Sequence, residues 1–379
     1  MLDILSGVTV VDLTSNVAGP FCTLILRDLG ATVWKVEPPD TGDVVRRWPP
    51  FTDDGVSTTF AALNRGKQSV CVDLKTDAGR AAFLAMIGTA DVLVDSVRPG
   101  SLEKLGLTAE ALAARNPDLV RARISAFGAS GTRAGAPGFD AVIQAYTGLM
   151  DLTGYPDQPP ARVGTGLVDF GTGMWAALGV LAALLDRQRG RQGADVSTTL
   201  FGTAVGFLMH HLASVELAGV VPARIGTAQH NTAPYEAIAA SDGLVMVGVT
   251  GPALWQAFCT AIDDPALAED PRYADNGRRV AARGELHERI ETVTRAMTTE
   301  ELAGRLTRTG VPCSPIRDVA ELAADPELAA TGLWQESAHG KAAVIPLMID
   351  GTTANGSAPA PMLGEHTEHV LASVEGAVR

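Results

Sequence analysis

Two hydrophobic periods alternate over the first 130 residues. Short β-rich apolar runs occupy 8–13 (VTVVDL), 32–37 (TVWKVE), 69–74 (SVCVDL), 91–97 (DVLVDSV) and 119–127 (LVRARISAF). Between them, apolar residues recur at helical spacing. The 20–30 stretch has Pro20 near its start and Gly30 at its end; further helices are read from about Asp77 to Thr89 and over 108–116, with Thr108 as N-cap. Strands separated by helices predict βαβ units and a parallel sheet. Ligands of such sheets bind beyond the carboxyl ends of the strands, which marks segments 14–19, 38–47, 73–75, 96–100 and 128–140.

The chain then centres on 161–186. A Gly-rich run ends at Asp169, and an apolar block over 173–185 carries Trp175, Leu178, Leu181, Ala182 and Leu185 at spacings of three and four. This predicts a buried helix, with an apolar block too short for a membrane span of roughly 20 residues. Asp169 reads either as the N-cap of that helix or as a working carboxylate at its mouth; position alone leaves both open. Gly164-x-Gly166-x-x-Asp169 opens like a dinucleotide fingerprint, but the third position is an acid that would repel a pyrophosphate, so no nicotinamide site is expected. One long helix is read over 198–219, with the adjacent His210 and His211 on different faces.

From about 225 the texture changes. Residues 233–249 form a hairpin pattern around Ser241-Asp242-Gly243, a helix follows over 253–262, and Thr298-x-x-Glu301 opens another that stops at Gly310. The tail carries a strand over 344–350, an Asn355-Gly356 turn and a last helix. The expected organisation is a large α/β domain over 1–200 and 326–379, a linker helix over 201–225, and a smaller α+β domain over 226–325.

Composition narrows the chemistry. Of 379 residues 46% are hydrophobic, enough for a sizeable core; the net charge is −13 and no Lys/Arg block occurs, which argues against a nucleic-acid partner. In so acidic a chain, Arg46, Arg47, Lys75, Arg98 and Lys104 beside Gly- or Pro-broken turns at one sheet edge suit a phosphate-bearing ligand, or are solvated surface charges. Cys22, Cys71, Cys259 and Cys313 form no CxxC pair, so neither a metal site nor a disulfide framework is expected. MLDILSG has no basic leader and no long apolar region, giving a cytoplasmic expectation with no membrane contact.

Several segments together resemble one family. They are 10–43 (VVDLTSNVAGPFCTLILRDLGATVWKVEPPDTGD), 64–79, 90–107, 127–149, the Asp169 helix, 231–243 and LGEHTEHVL (363–371). In order and spacing they resemble the class III coenzyme A transferases of the CaiB/BaiF type, which include formyl-CoA and carnitine CoA-transferases and α-methylacyl-CoA racemase. The resemblance implies an interlocked homodimer, each subunit having a Rossmann-like CoA-binding large domain and a small domain. It implies that Asp169 is a covalent nucleophile forming an aspartyl-CoA thioester. It implies that acyl-CoA is held by Val17, Ala18, Val72, Asp73, Leu74, Lys75, Ser96, Val97, Arg98, Lys104, Pro137, Gly138, Phe139 and Asp140, and that a loop with Gly248 and Gly251 covers the site. CoA is then a substrate, a small carboxylic acid its partner, and no cofactor or metal is tightly bound. Backbone amides near 171–173 or 248–251 are candidates for stabilising oxyanions.

The sequence departs from the family at several points. Lys104 stands where several relatives have Arg, Pro38 where some have a basic residue, and Val17 where the formyl-CoA enzyme has Gln. Phe139 replaces that enzyme's Tyr, and the 248–251 loop lacks a Gly run. These point away from the formyl/oxalate substrate pair. The racemase uses a His in the stretch matching Gly138-Phe139-Asp140, where this chain has Phe139. The alternatives to CoA transfer are a 2-methylacyl-CoA racemase or a non-catalytic acyl-CoA-binding paralogue.

Overall fold

The computed structural model describes residues 2–377 and divides them into two compact units. One takes the chain up to Thr147, Val163–Met209 and everything from Pro326 on; the other takes Gly148–Arg162 and His210–Asp325.

The first unit is built on six strands: β1 (Thr9–Leu13), β2 (Thr32–Glu37), β3 (Gln68–Cys71), β4 (Val92–Asp95), β5 (Val120–Ser125) and β6 (Asp195–Thr199). Every pairing is parallel, in the order β3-β2-β1-β4-β5-β6. Strand order reverses between β1 and β4. Connections leaving the two strands depart in opposite directions there, opening a crevice beyond their carboxyl ends.

Seven helices of this unit concern the site: α1 (Ala18–Asp28), α2 (Thr58–Asn64), α3 (Asp77–Ile87), α4 (Ala109–Arg115), α5 (Asp140–Thr147), α6 (Leu167–Gln188) and α7 (Leu200–Phe207). Alternate residues of each strand point to opposite faces. Val10, Val92, Val94 and Val120 pack with Cys22, Leu26, Ala176 and Val180 of α1 and α6. Val11, Val70 and Leu93 pack on the other face with Phe83 and Met86 of α3, Leu112 of α4 and Val370 and Val374 of the last helix, Thr367–Ala377. A parallel sheet covered on both sides needs such continuous apolar runs.

Helices α1 and α6 meet closely because Gly173 has no side chain. A Cβ there would lie 2.6 Å from the Ala18 carbonyl oxygen and 3.1 Å from the Cys22 nitrogen. This close approach brings the first turn of α6, with Asp169, beside the start of α1.

Several elements differ from the sequence reading. Helix α6 runs 22 residues, well beyond the apolar block, and reaches membrane-span length. Half of its most apolar stretch is buried, however, and its inner face packs on β5, β6 and α1. The stretch read as one helix over 198–219 is two, α7 and α8 (Met209–Ala218). In the tail, Trp334–Ser337 pairs antiparallel with Gly340–Ala343, and the expected 344–350 strand reduces to Met348–Ile349, which pairs with Thr352–Thr353. The turn between those last strands is Asp350-Gly351, both at positive φ, rather than Asn355-Gly356.

In the second unit, β7 (Tyr235–Ala239), β8 (Leu244–Gly248) and β9 (Cys313–Pro315) form an antiparallel sheet. Its core joins Ile238, Val245 and Val247 to Trp255, Phe258, Ile290 and Leu302 of flanking helices, an α+β arrangement. Gly248 ends β8, and Gly251 is the N-cap of α9 (Pro252–Ala261). His210 and His211 do not point apart as their adjacency suggests: their ring centroids are 3.9 Å apart, and His230 lies 5.7 Å from His211.

Candidate active site

The crevice between β1 and β4 is a cleft of about 510 Å³. Its walls are Ser15, Asn16, Ala18 and Gly19 after β1, residues 96–99 and Ser101 after β4, and residues 124–128 and 135–139 around the end of β5; Asp169 reaches it from α6. A larger hollow of about 590 Å³ lies at the opposite, amino-terminal ends of β4 and β5. Asp91 and Arg187 there are paired at 2.7 Å, and the hollow has no nucleophile at a strand's carboxyl end.

The β1 wall rests on a buried ionic network. Asp12, wholly buried, accepts from the Thr14 amide (3.0 Å), the Thr14 and Thr23 hydroxyls (2.5 and 2.6 Å) and Lys67 Nζ (3.0 Å). Lys35 Nζ, equally buried, donates to the Thr14 carbonyl (3.1 Å) and pairs with Asp43 (2.8 Å). Asn16 takes φ +68° and its amide reaches Asp43 at 3.3 Å, while the Ser15 amide donates to Ser96 Oγ at 3.2 Å, tying the β1 loop to the β4 loop. Burial raises the Asp12 pKa, but Lys67, Lys35 and the two hydroxyls outweigh it and hold the carboxyl well below the usual range.

Helix α1 then starts with open amides. Its N-cap residue Val17 supplies no side-chain acceptor, and Ala18 and Gly19 face the cleft. The first amides of a helix have no intrahelical partner and carry its positive end, so this is a place for a developing oxyanion. The amides expected for that role at 171–173 lie inside α6, where intrahelical bonds consume them, and Gly171 is packed against Phe207 and Thr203.

Asp169 is not the cap of α6. Gly166 occupies the N-cap position, and the capping oxygen comes from Asp140 at the start of α5. Asp140 Oδ2 accepts from the Val168 and Asp169 amides (2.8 and 3.2 Å), and its Oδ1 accepts from Gln144 Nε2 (2.6 Å). Gln144 Oε1 in turn accepts from the Val163 amide at 3.0 Å, fixing the approach to the helix. Asp140, implied as a CoA ligand, thus sits behind the start of α6 with both oxygens in use. Asp169 itself is half-buried, and no donor reaches its carboxylate among the described residues. Burial first, and the Asp140 charge second, push its pKa up to about 7.

Of the other implied site residues, Ala18, Ser96, Val97, Arg98, Pro137, Gly138 and Phe139 line the cleft with Asp169. Val17, Val72, Asp73, Leu74, Lys75 and Lys104 do not; Val72 is buried, and Asp73, Lys75 and Lys104 are exposed at the ends of their strands or turns. Gly248 and Gly251 belong to the second unit. Arg46, read as a free cation, is committed: Nε and Nη2 meet the two Glu37 oxygens at 2.7 Å each, Nη1 donates to the Pro361 carbonyl, and the guanidinium lies over the Phe60 ring. Sequence reasoning missed the Lys35–Lys67 network and Gln144. Each left a signal: Lys35 interrupts an apolar strand, and Gln144 stands one helical turn after Asp140.

A switch-point cleft with a half-buried, donor-free carboxylate beside open helix amides suits an α/β enzyme for anionic or acyl substrates. The chain belongs to CoA-transferase family III, whose sequence model matches residues 5–367. It is 39% identical to an acetyl-CoA:oxalate CoA-transferase of Acetobacter aceti, covering 87% of this chain and 85% of the relative. It is 34% identical to a succinate–glutarate CoA-transferase of Agrobacterium fabrum, covering 98% and 96%. The crystal structure of a CAIB/BAIF family protein from Brucella suis superposes with a TM-score of 0.90 at 33% identity, over 99% of this chain and 100% of that one. The protein is therefore a class III CoA-transferase, working on CoA thioesters.

Proposed function

We propose that the enzyme moves CoA from an acyl-CoA to a dicarboxylic acid through a thioester on Asp169. The observation carrying this is the Asp169 carboxylate: half-buried, free of donors, and facing the cleft beside the open amides of α1. An Asp169 oxygen attacks the thioester carbon, and the CoA thiolate leaves, giving a mixed anhydride. The thiolate then attacks the Asp169 carbonyl carbon, releasing the donor acid as a carboxylate and leaving an aspartyl-CoA thioester. An acceptor carboxylate attacks that thioester and the steps reverse. No net proton moves, so no general base is required. The Ala18 and Gly19 amides take the tetrahedral oxyanions. Ser96, Val97 and Arg98 on one side and Pro137, Gly138 and Phe139 on the other hold the thioester arm, and exposed Lys75 and Lys104 meet the phosphates. Oxalate, succinate and glutarate in the relatives' names support a dicarboxylic acid as acceptor. They also bring oxalate back into consideration, whatever the departures at Val17 and Phe139 imply for a formyl group.

The test is peptide mass spectrometry after incubation with acetyl-CoA and succinyl-CoA. A CoA-sized adduct on the Asp169 peptide, absent in Asp169→Ala, is expected. Solvent deuterium entering the α-carbon of a 2-methylacyl-CoA with no adduct would instead establish the racemase.

The same reading includes a homodimer. Met174, Trp175, Leu178 and Leu185 lie along one side of α6, each 51–56% exposed, a continuous apolar stripe of a kind that marks an interface. Light scattering is expected to give twice the 39.4 kDa chain mass; a monomer at micromolar concentration would refute it.

A further inference from the structure

We propose that Arg133 recognises the second carboxylate of the dicarboxylic acid held in the Asp169 cleft. This rests on the transferase reading above and concerns a residue that reading does not use.

Arg133 lies in the loop after β5, whose Gly128 and 135–139 segments line the cleft. Its guanidinium lies over the Tyr146 ring at 4.5 Å and reaches the Phe127 ring at 5.5 Å. Those rings meet edge to face at 5.2 Å, and Phe201 stands 6.0 Å from each, so the cation sits on a built aromatic shelf. Phe127 is itself a wall of the cleft. The loop is pinned as well: the Gly135 amide donates to the Gly128 carbonyl, and the Ala136 amide to the Arg133 carbonyl, both at 3.0 Å.

Among the described residues, Arg133 has no carboxylate partner and donates no hydrogen bond. Arg27, Arg46 and Arg65 of the same unit are each committed to Asp28 or Glu37. In an acidic chain, an arginine held on aromatic rings with its N–H groups unpaired is oriented for an oxyanion supplied from outside. Stacking fixes the guanidinium plane and leaves its edge to meet a carboxylate with two parallel hydrogen bonds.

Position separates this cation from those assigned to CoA. Lys75, Arg98 and Lys104 follow β3 and β4, whereas Arg133 follows β5, the strand on which α6 and its nucleophile pack. With the CoA phosphates on the β3–β4 side and the thioester arm between Ser96–Arg98 and Pro137–Phe139, the proposal puts the far end of the acid toward the Phe127 wall and the Arg133 shelf beside it.

The test compares the full-length enzyme with Arg133→Met and Arg133→Lys. Three Michaelis constants are measured: for glutarate, for butyrate as a monocarboxylic acceptor of similar length, and for acetyl-CoA. Arg133→Met is expected to raise KM for glutarate by roughly ten- to hundredfold, the loss of one charge-assisted bidentate contact. KM for butyrate and acetyl-CoA should stay within about twofold, and Arg133→Lys should recover part of the loss, since it keeps the charge without the fork. An unchanged KM for glutarate, or an equal rise for butyrate, overturns the proposal. A rise confined to acetyl-CoA also overturns it and assigns the guanidinium to a CoA phosphate. The Asp169–CoA adduct is followed in parallel: its presence in Arg133→Met keeps the transferase reading intact whichever way the acid constants fall, and its absence in the parent enzyme is a failure of that reading alone.

Discussion

Asp169→Asn is expected to abolish CoA transfer and, at pH 8, to make the protein more stable than its parent. The carboxyl is pushed from 3.8 up to about 7, first by burial and then by Asp140. The native state therefore holds a proton between those values that the unfolded chain has released, so stability falls as pH rises through that window, and the full cost is present above about 7. A rise of that size corresponds to about 4 kcal/mol as an upper bound; for a half-buried group about 2 kcal/mol is the reasonable size after solvent screening. Asn carries no charge, so its advantage is expected at pH 8 and should vanish near pH 4. Urea midpoints at the two pH values check this. An advantage of equal size at both would show that shape, not charge, is responsible.

The same shift sets the acid limb of catalysis. In the mechanism proposed above only the ionised Asp169 attacks, so kcat/KM for an acyl-CoA is expected to rise with pH and level off above about 7. Asp140→Asn removes the like charge and should move that limb to lower pH. Burial is the larger cause, so the limb should remain above the ordinary carboxylate range. A limb unmoved by this substitution would leave Asp140 as a helix cap alone. Asp140 accepts from the Val168 and Asp169 amides, so these donors are not spent on the Asp169 carboxylate, as the proposed attack requires.

Much of this was legible from local pattern. The runs 8–13, 32–37, 91–97 and 119–127 became β1, β2, β4 and β5 because a two-sided sheet core demands unbroken β-branched stretches, and the loops after them became cleft walls by topology alone. Thr108 and Thr298 cap their helices as read, accepting from Ala111 and Glu301. The errors fall where a distant residue decides. Position alone could not decide between the two readings of Asp169, because the residue that supplies the capping oxygen, Asp140, lies 29 residues earlier. Arg46 looked free because Glu37 and the Pro361 carbonyl, 315 residues on, are brought to it only by the fold. The break between α7 and α8 left no trace, since both segments are apolar and neither Pro nor Asn marks the join.

The buried network behind the β1 loop is expected to serve geometry more than stability, and substitutions can separate the two. Lys67 Nζ spends its donors on Asp12, the Pro20 carbonyl, Thr23 Oγ1 and Asn64 Oδ1, all within 3.0 Å. Lys67→Met leaves buried Asp12 without its directly paired ammonium, with Lys35 the remaining nearby cation, a loss of up to roughly 3–5 kcal/mol for a broken buried pair. Replacing both partners by apolar residues, Lys67→Met with Asp12→Leu, removes the stranded charge and should recover much of that loss. It cannot restore the acceptor for the Thr14 amide and hydroxyl, on which the loop carrying Ser15, Asn16 and Ala18 depends. The double variant is therefore expected to fold with a denaturation midpoint close to the parent's, yet to show at least a tenfold higher KM for acetyl-CoA, an energy of about 1.4 kcal/mol or more in lost ground-state binding. A double variant with normal KM would show that the loop is held by α1 and the Ser15–Ser96 bond alone. One that stays as unstable as Lys67→Met would show that the ions, and not the loop they position, are what the fold requires.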